Sequence, residues 1–204
     1  MKIYIVGSVG SGKTTLARIV SAKLQVPHFQ TDNFVWTRHL TGDIRNEIEV
    51  RDQLLQDAII LDHWIIEGVH IDWTDTGLQE ADQIIFLDFP SQKRVQRIVK
   101  RYIRQLLRIE KANYKPTFSM FRQMFKWNRY FEEQMKPKFI MKFSAFEHKV
   151  HRFQTDEEVE DWFLKKKDNL KSVIGYHLLL FSSLLFSSFH LFHLLNDPVF
   201  GVFV

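Results

Sequence analysis

The run Gly7-Ser8-Val9-Gly10-Ser11-Gly12-Lys13-Thr14 has the spacing G-x-x-x-x-G-K-[ST], which suits the gripping of a polyphosphate. Phosphate oxygens need many donors converging at short range, which side chains cannot supply without crowding. Glycines let backbone N–H groups curl around the anion instead, and a helix starting near Lys13 adds the positive end of its dipole. Lys13 is expected to reach the β- and γ-phosphates, and the Thr14 hydroxyl to enter a Mg²⁺ shell otherwise filled by water and phosphate oxygens. Gly7, Gly10, Ser11, Gly12, Lys13, Thr14 and Thr15 are therefore the candidate residues for binding ATP.

Such a metal also needs an acid nearby. Asp32, Glu67 and Asp88 each close a strand-like run, and as single strand-end carboxylates they stay level. His63 and His70 have no spacing that suggests a metal cluster.

The elements that must hold these groups follow from periodicity. "KIYIV" reads as a strand and "TTLARIVSAKLQ" as a helix with Leu16, Ile19, Val20 and Leu24 on one face. "VPHFQTD" reads as a second short strand, and residues 46–60 as a helix with Ile48, Leu54, Leu55 and Ala58 inward. "HWIIEG" and "QIIFLDFP" are nearly continuous in apolar residues, as strands buried on both faces are. The alternation predicts an α/β fold with a parallel sheet flanked by helices. From Ser91 to Ile109 the apolar residues Val95, Ile98, Val99, Tyr102, Leu106 and Ile109 keep a helical period, with Arg94, Arg97, Arg101, Arg104 and Arg108 on the remaining faces. Residues 113–147 read as helical or lid-like, "KVHRF" as a last strand and "TDEEVEDWFLKK" as a helix whose Thr155 and Glu158 have capping-box spacing.

Charge is distributed unevenly. Residues 1–90 carry 7 Lys/Arg against 13 Asp/Glu, whereas residues 91–152 carry 17 against 4, so the middle of the chain is a basic block suited to phosphate or nucleic acid. The chain has no cysteine, which excludes disulfides and thiolate metal sites and suits a reducing cytoplasm. The first residues run straight into a strand with no leader pattern. Residues 1–168 are expected to form the folded domain and residues 169–204 an apolar tail. That tail is long enough to span a membrane, with Lys165, Lys166, Lys167 and Lys171 on the side that would stay cytoplasmic. A translation artefact and an added soluble helix are the other readings of its Leu/Phe/Ser run.

In its order of elements over residues 1–165 the chain resembles the adenylate-kinase-like branch of P-loop phosphotransferases. "WIIEGVH" is similar to the strand that there ends in an acid-Gly pair beside the metal, which implies that Glu67 joins Thr14 at the metal and that Gly68 lies near the γ-phosphate. Asp32 falls where shikimate-kinase-like members keep an acid facing the phosphoryl acceptor. "LDFPSQKRVQRIVKR" resembles the run into the lid of adenylate kinases, which implies that Arg97 lies on adenine and Arg101 on the transferring phosphates, within a lid of about residues 102–147. Arg122 and Arg129 would add charge from that lid. A narrower resemblance is to the small bacterial topology modulation (FlaR-related) proteins, from which the chain departs at Val69-His70. It also lacks the arginine with which adenylate kinases hold a nucleoside monophosphate after the acid-Gly strand.

The expected activity is transfer of the γ-phosphoryl group of ATP, with Mg²⁺, to a small-molecule acceptor held near Asp32, with Lys13, Asp32, Arg101 and Arg129 as the catalytic set. The alternative is a nucleotide-binding regulator of DNA topology that contacts nucleic acid through residues 91–152. A membrane enters only through the tail.

Overall fold

The computed structural model describes residues 1–39, 42–109 and 117–171, with side chains through residue 164. β1 (Lys2–Gly7) buries Ile3, Tyr4, Ile5 and Val6 in succession, as its apolar run predicts for a central strand. The chain continues through α1 (Lys13–Leu24), β2 (His28–Gln30), α2 (Thr31–Val35), a small antiparallel pair β3 (Trp36–Thr37) and β4 (Ile44–Arg45), and α3 (Ile48–Ile59). Next come β5 (Trp64–Gly68), α4 (Asp75–Glu80), β6 (Gln83–Leu87), α5 (Ser91–Leu106) and α6 (Phe118–Tyr130). After α6, a π turn (Phe131–Met135) leads into α7 (Lys136–Phe143), a 3₁₀ turn (Ser144–Lys149), β7 (Val150–Phe153) and α8 (Asp156–Lys171).

The main sheet has the order β2-β5-β1-β6-β7, and all its pairings are parallel. With the strand–glycine loop–helix unit at β1 and α1, this is the P-loop α/β fold. Met1–Thr155 form one compact unit and Asp156–Val204 a second, whose described part is α8. Among the described residues no helix is long and apolar enough to cross a membrane. The membrane-anchor and artefact readings of the tail concern residues 172–204, which lie outside the described residues.

One face of the sheet, built from Tyr4, Val6, Trp64, Ile66, Ile84 and Phe86, packs against Leu55, Ala58 and Leu78 and against Phe131, Phe139 and Phe143. Phe86 meets all three of those phenylalanine rings at centroid distances of 5.4–6.4 Å. Within the stretch 102–147 expected as a lid, the part from Phe131 to Phe143 thus belongs to the core. Pro137 explains the π turn that precedes it. With no N–H, Pro137 cannot bond back to the residue four earlier, and the wider turn absorbs the break.

Two amphipathic assignments shift. In α3 the buried stripe is Leu55, Ala58 and Ile59, while Ile48 and Leu54, expected inward, are exposed. In α5 the buried residues are Arg94, Ile98 and Gln105; the expected Leu106 at its end and Ile109 beyond it are exposed. Each helix has a narrower contact than its apolar residues suggest, and in α5 a polar network takes the place of an apolar seam.

Candidate active site

The glycine loop is held open by its backbone. Gly10 and Gly12 sit at φ 76° and 90°, the left-handed region that a side chain disfavours. A Cβ on Gly10 would also lie 2.8 Å from the carbonyl oxygen of Arg94. α1 begins at Lys13, whose Nζ donates to the Ser8 carbonyl at 3.3 Å. The Thr14 hydroxyl donates to Glu67 Oε1 at 2.6 Å, and Thr15 is exposed on the first turn. The hydroxyls of Ser8 and Ser11 are buried with no hydrogen-bond partner among the described residues. Orphaned donors beside a ring of glycines are what a cradle for an anion requires.

The sheet register brings two of the strand-end acids to this loop. Ile5 pairs with Glu67 on one side of β1, and Gly7 pairs with Leu87, the residue before Asp88, on the other. Glu67 is 3% exposed, and burial raises its pKa above the ordinary glutamate value against the opposing pull of Lys13 and the Thr14 hydrogen bond. Asp88 is 1% exposed but ion-paired twice, with Lys136 Nζ at 2.7 Å and with Arg152, whose Nε donates at 2.9 Å. Of these two acids, Asp88 is spent on cations of the protein. Glu67 has a hydroxyl and the field of Lys13, and is the one able to serve a metal.

Among the described residues no group of three His, Cys, Asp or Glu side chains forms a metal site. The donors present fit Mg²⁺ of the P-loop kind nonetheless, since that ion keeps several waters and takes one or two protein oxygens plus phosphate. Thr14 Oγ1, whose proton is turned to Glu67, offers its lone pairs, and the carboxylate stands behind it.

Asp32 follows β2, whose Gln30 pairs with Glu67. Thr31 packs so tightly on Gly68 that a Cβ there would fall 1.8 Å from Thr31 Oγ1, which fixes the start of α2 on the end of β5. Asp32 Oδ1 lies 3.1 Å from His70 Nε2. Its pKa is lowered, first by this hydrogen bond; burial opposes as the next influence, and the charges of Lys13, His70 and Arg38 add to the lowering.

The basic helix divides in a way its sequence hides. Arg97 Nη1 donates to the Ser11 carbonyl at 2.9 Å and its guanidinium lies 4.4 Å from the Phe89 ring centroid, which sets it beside the loop. Arg101 reaches α6, with Nη2 3.4 Å from Met124 Sδ. Arg122 and Arg129 are exposed on α6, and among the described residues no hydrogen bond joins either to the loop. Arg94, read from sequence as one of the outward arginines, is 0% exposed. It donates to the Phe89 carbonyl at 2.6 Å, to Asn128 Oδ1 at 2.7 Å and to Glu132. Its backbone carbonyl also backs Gly10, so Arg94 ties the floor of the loop to α6 and the π turn. The available sequence signal was the placing of Arg94 four residues before Ile98, on the face that turns inward.

No family model matches the chain. A segment of 100 residues is 34% identical to the uncharacterized protein YqaC of Bacillus subtilis (strain 168), covering 48% of this chain and 55% of that one. The chain thus spans about half the length of the curated relative it matches. Among solved structures, the shikimate kinase of Aquifex aeolicus is 16% identical with a TM-score of 0.44, over 83% of this chain and 98% of that one. A sugar kinase of Janibacter sp. HTCC2649 is 17% identical with a TM-score of 0.48, over 86% and 98%.

Proposed function

We propose that this protein transfers the γ-phosphoryl group of ATP to a small-molecule acceptor: a nucleotide, a nucleoside or another hydroxyl compound. The observation that carries the reading is the Thr14–Glu67 hydrogen bond at the mouth of the glycine loop, beside Lys13. It places a hydroxyl, a buried carboxylate and an ammonium around the point where β- and γ-phosphates would rest.

In this reading the loop amides hold the phosphates and Lys13 offsets charge that moves toward the bridging oxygen. Thr14 and Glu67 hold Mg²⁺, which when bound neutralises the phosphate oxygens. Arg97, its guanidinium already over the Phe89 ring, offers a planar face to the base. Asp32 orients the attacking oxygen, while Arg101 and Arg129 add charge as α5 and α6 close. Fixed donors of this kind act on the transition state without reorganising.

A second reading, a nucleotide-dependent regulator of DNA topology, comes from the resemblance to the topology modulation proteins and from the basic block. It ranks second because Arg94 is buried and Arg97 lies on the loop, which leaves less of the block for a duplex. A cytoplasmic setting, with membrane contact only through the tail, belongs to the proposal as well. The test is ADP release by the full chain with Mg-ATP against a panel of acceptors. Stimulation by one acceptor class, lost at least a thousandfold in Lys13→Ala, supports transfer; slow turnover that no acceptor changes, with salt-sensitive duplex binding, favours the regulator.

A further inference from the structure

The chain departs from the pattern it otherwise resembles at Val69-His70, and the structure gives His70 a built position. The segment after β5 turns sharply: Asp72 sits at φ 75°, a conformation that costs a residue with a side chain and persists where its surroundings enforce it. Lys142 spans this turn, pairing with Asp72 at 3.3 Å and with Asp75 Oδ2 at 2.7 Å. Thr74, fully buried, donates its hydroxyl to the His70 carbonyl at 3.1 Å. The imidazole rests against Trp73 at 5.4 Å between centroids, and the guanidinium of Arg51 lies 4.5 Å from that same indole. The outcome of this bracing is the 3.1 Å contact from His70 Nε2 to Asp32 Oδ1. An ionised carboxylate only accepts, so Nε2 carries the hydrogen. One oxygen of Asp32 is then occupied and the other is left to accept.

Two arginines on this side of the site are matched by acids of the protein. Arg38 is paired with Asp43, and Arg51 with Asp52 at 2.7 Å. A phosphate monoester entering here would meet a carboxylate held in its charged form and guanidinium groups already matched by acids. An alcohol would meet an acceptor for its hydrogen.

Resting on the kinase reading above, we propose that His70 is a positioning residue that presents Asp32 to an acceptor hydroxyl, and that the acceptor is a compound without a phosphate group. In the step, the acceptor oxygen bonds to the γ-phosphorus and its hydrogen passes to the free oxygen of Asp32. The bond from that phosphorus to the bridging oxygen breaks, and its electron pair leaves on ADP.

The experiment measures ADP formation by the full chain with Mg-ATP. Its probes are myo-inositol, ribose, gluconate, shikimate and thymidine as hydroxyl compounds, and AMP, CMP and dTMP as phosphate acceptors. The expected result is stimulation of tenfold or more by a hydroxyl compound and none by the monophosphates. His70→Ala should then lower kcat with that compound at least tenfold at an unchanged KM for ATP. His70→Gln, whose amide still donates toward Asp32, should recover kcat to within about threefold. Preference for a monophosphate overturns the inference, as does hydroxyl stimulation that His70→Ala leaves intact. If nothing in the panel stimulates while Lys13→Ala abolishes ATP turnover, the inference falls and the nucleotide site stands. If Lys13→Ala changes nothing, the kinase reading falls as well.

Discussion

Two buried carboxylates end the strands on either side of β1, and their surroundings differ in kind. Asp88, after β6, is held by Lys136 and Arg152. Glu67, at the end of β5, has the Thr14 hydroxyl and is raised in pKa by its own burial. A buried acid closed off by cations of the protein is a structural tie, since its charge is matched before any ligand arrives. A buried acid left with a hydroxyl is an unfinished site, and a cation brought with the nucleotide would finish it. On the proposed reading, the difference locates function by what a charged group still lacks.

The contrast can be broken by exchanging each acid for its amide. Glu67→Gln keeps the shape and an acceptor for Thr14 but removes the charge. Phosphoryl transfer should fall about 10²–10³-fold, equivalent to roughly 3–4 kcal/mol of transition-state stabilisation, measured as kcat with any acceptor that stimulates turnover. Asp88→Asn should instead lower stability by roughly 2 kcal/mol in urea unfolding. That is below the cost of breaking a fully enclosed pair, because Arg152 and Lys136 both reach solvent. Arg97→Ala, which removes one planar contact beside the loop, should raise KM for ATP about tenfold, or roughly 1.4 kcal/mol.

The smallest expected effect runs against intuition. An acid whose folded pKa is raised binds more protons folded than unfolded between the two values, so the stability it contributes falls as pH rises through that window. Glu67→Gln should therefore raise the Tm of the nucleotide-free chain modestly at neutral pH. The gain should shrink as pH drops below the ordinary glutamate range. A Tm lowered at neutral pH would show that Glu67 is as well matched as Asp88 and would erase the contrast.

The loop was readable because its function is written in backbone: glycines at fixed spacing between a strand and a helix state both geometry and chemistry. The sheet was readable for a related reason, since β1, β5 and β6 are apolar runs short enough to be only buried strands. Choosing between Glu67 and Asp88 from the residues alone was not possible. The choice depends on Lys136 and Arg152, far along the chain, and only resemblance pointed to Glu67. Arg94 is hard to place from sequence because five arginines share its helix and only its spacing from Ile98 hints at the inward face. Its partners Asn128 and Glu132 are 34 and 38 residues away. His70 was weighed only as a metal ligand, because its contact with Asp32 spans 38 residues and hangs on the strained turn at Asp72.

The most direct test of the central claim is calorimetric titration of ATP into the full chain with and without Mg²⁺, in the wild type, Glu67→Gln and Asp88→Asn. The account predicts that Mg²⁺ tightens ATP binding about equally in the wild type and Asp88→Asn, and that Glu67→Gln loses the tightening while still binding ATP through its loop. Mg²⁺-dependent tightening that survives in Glu67→Gln, or disappears in folded Asp88→Asn, would contradict it.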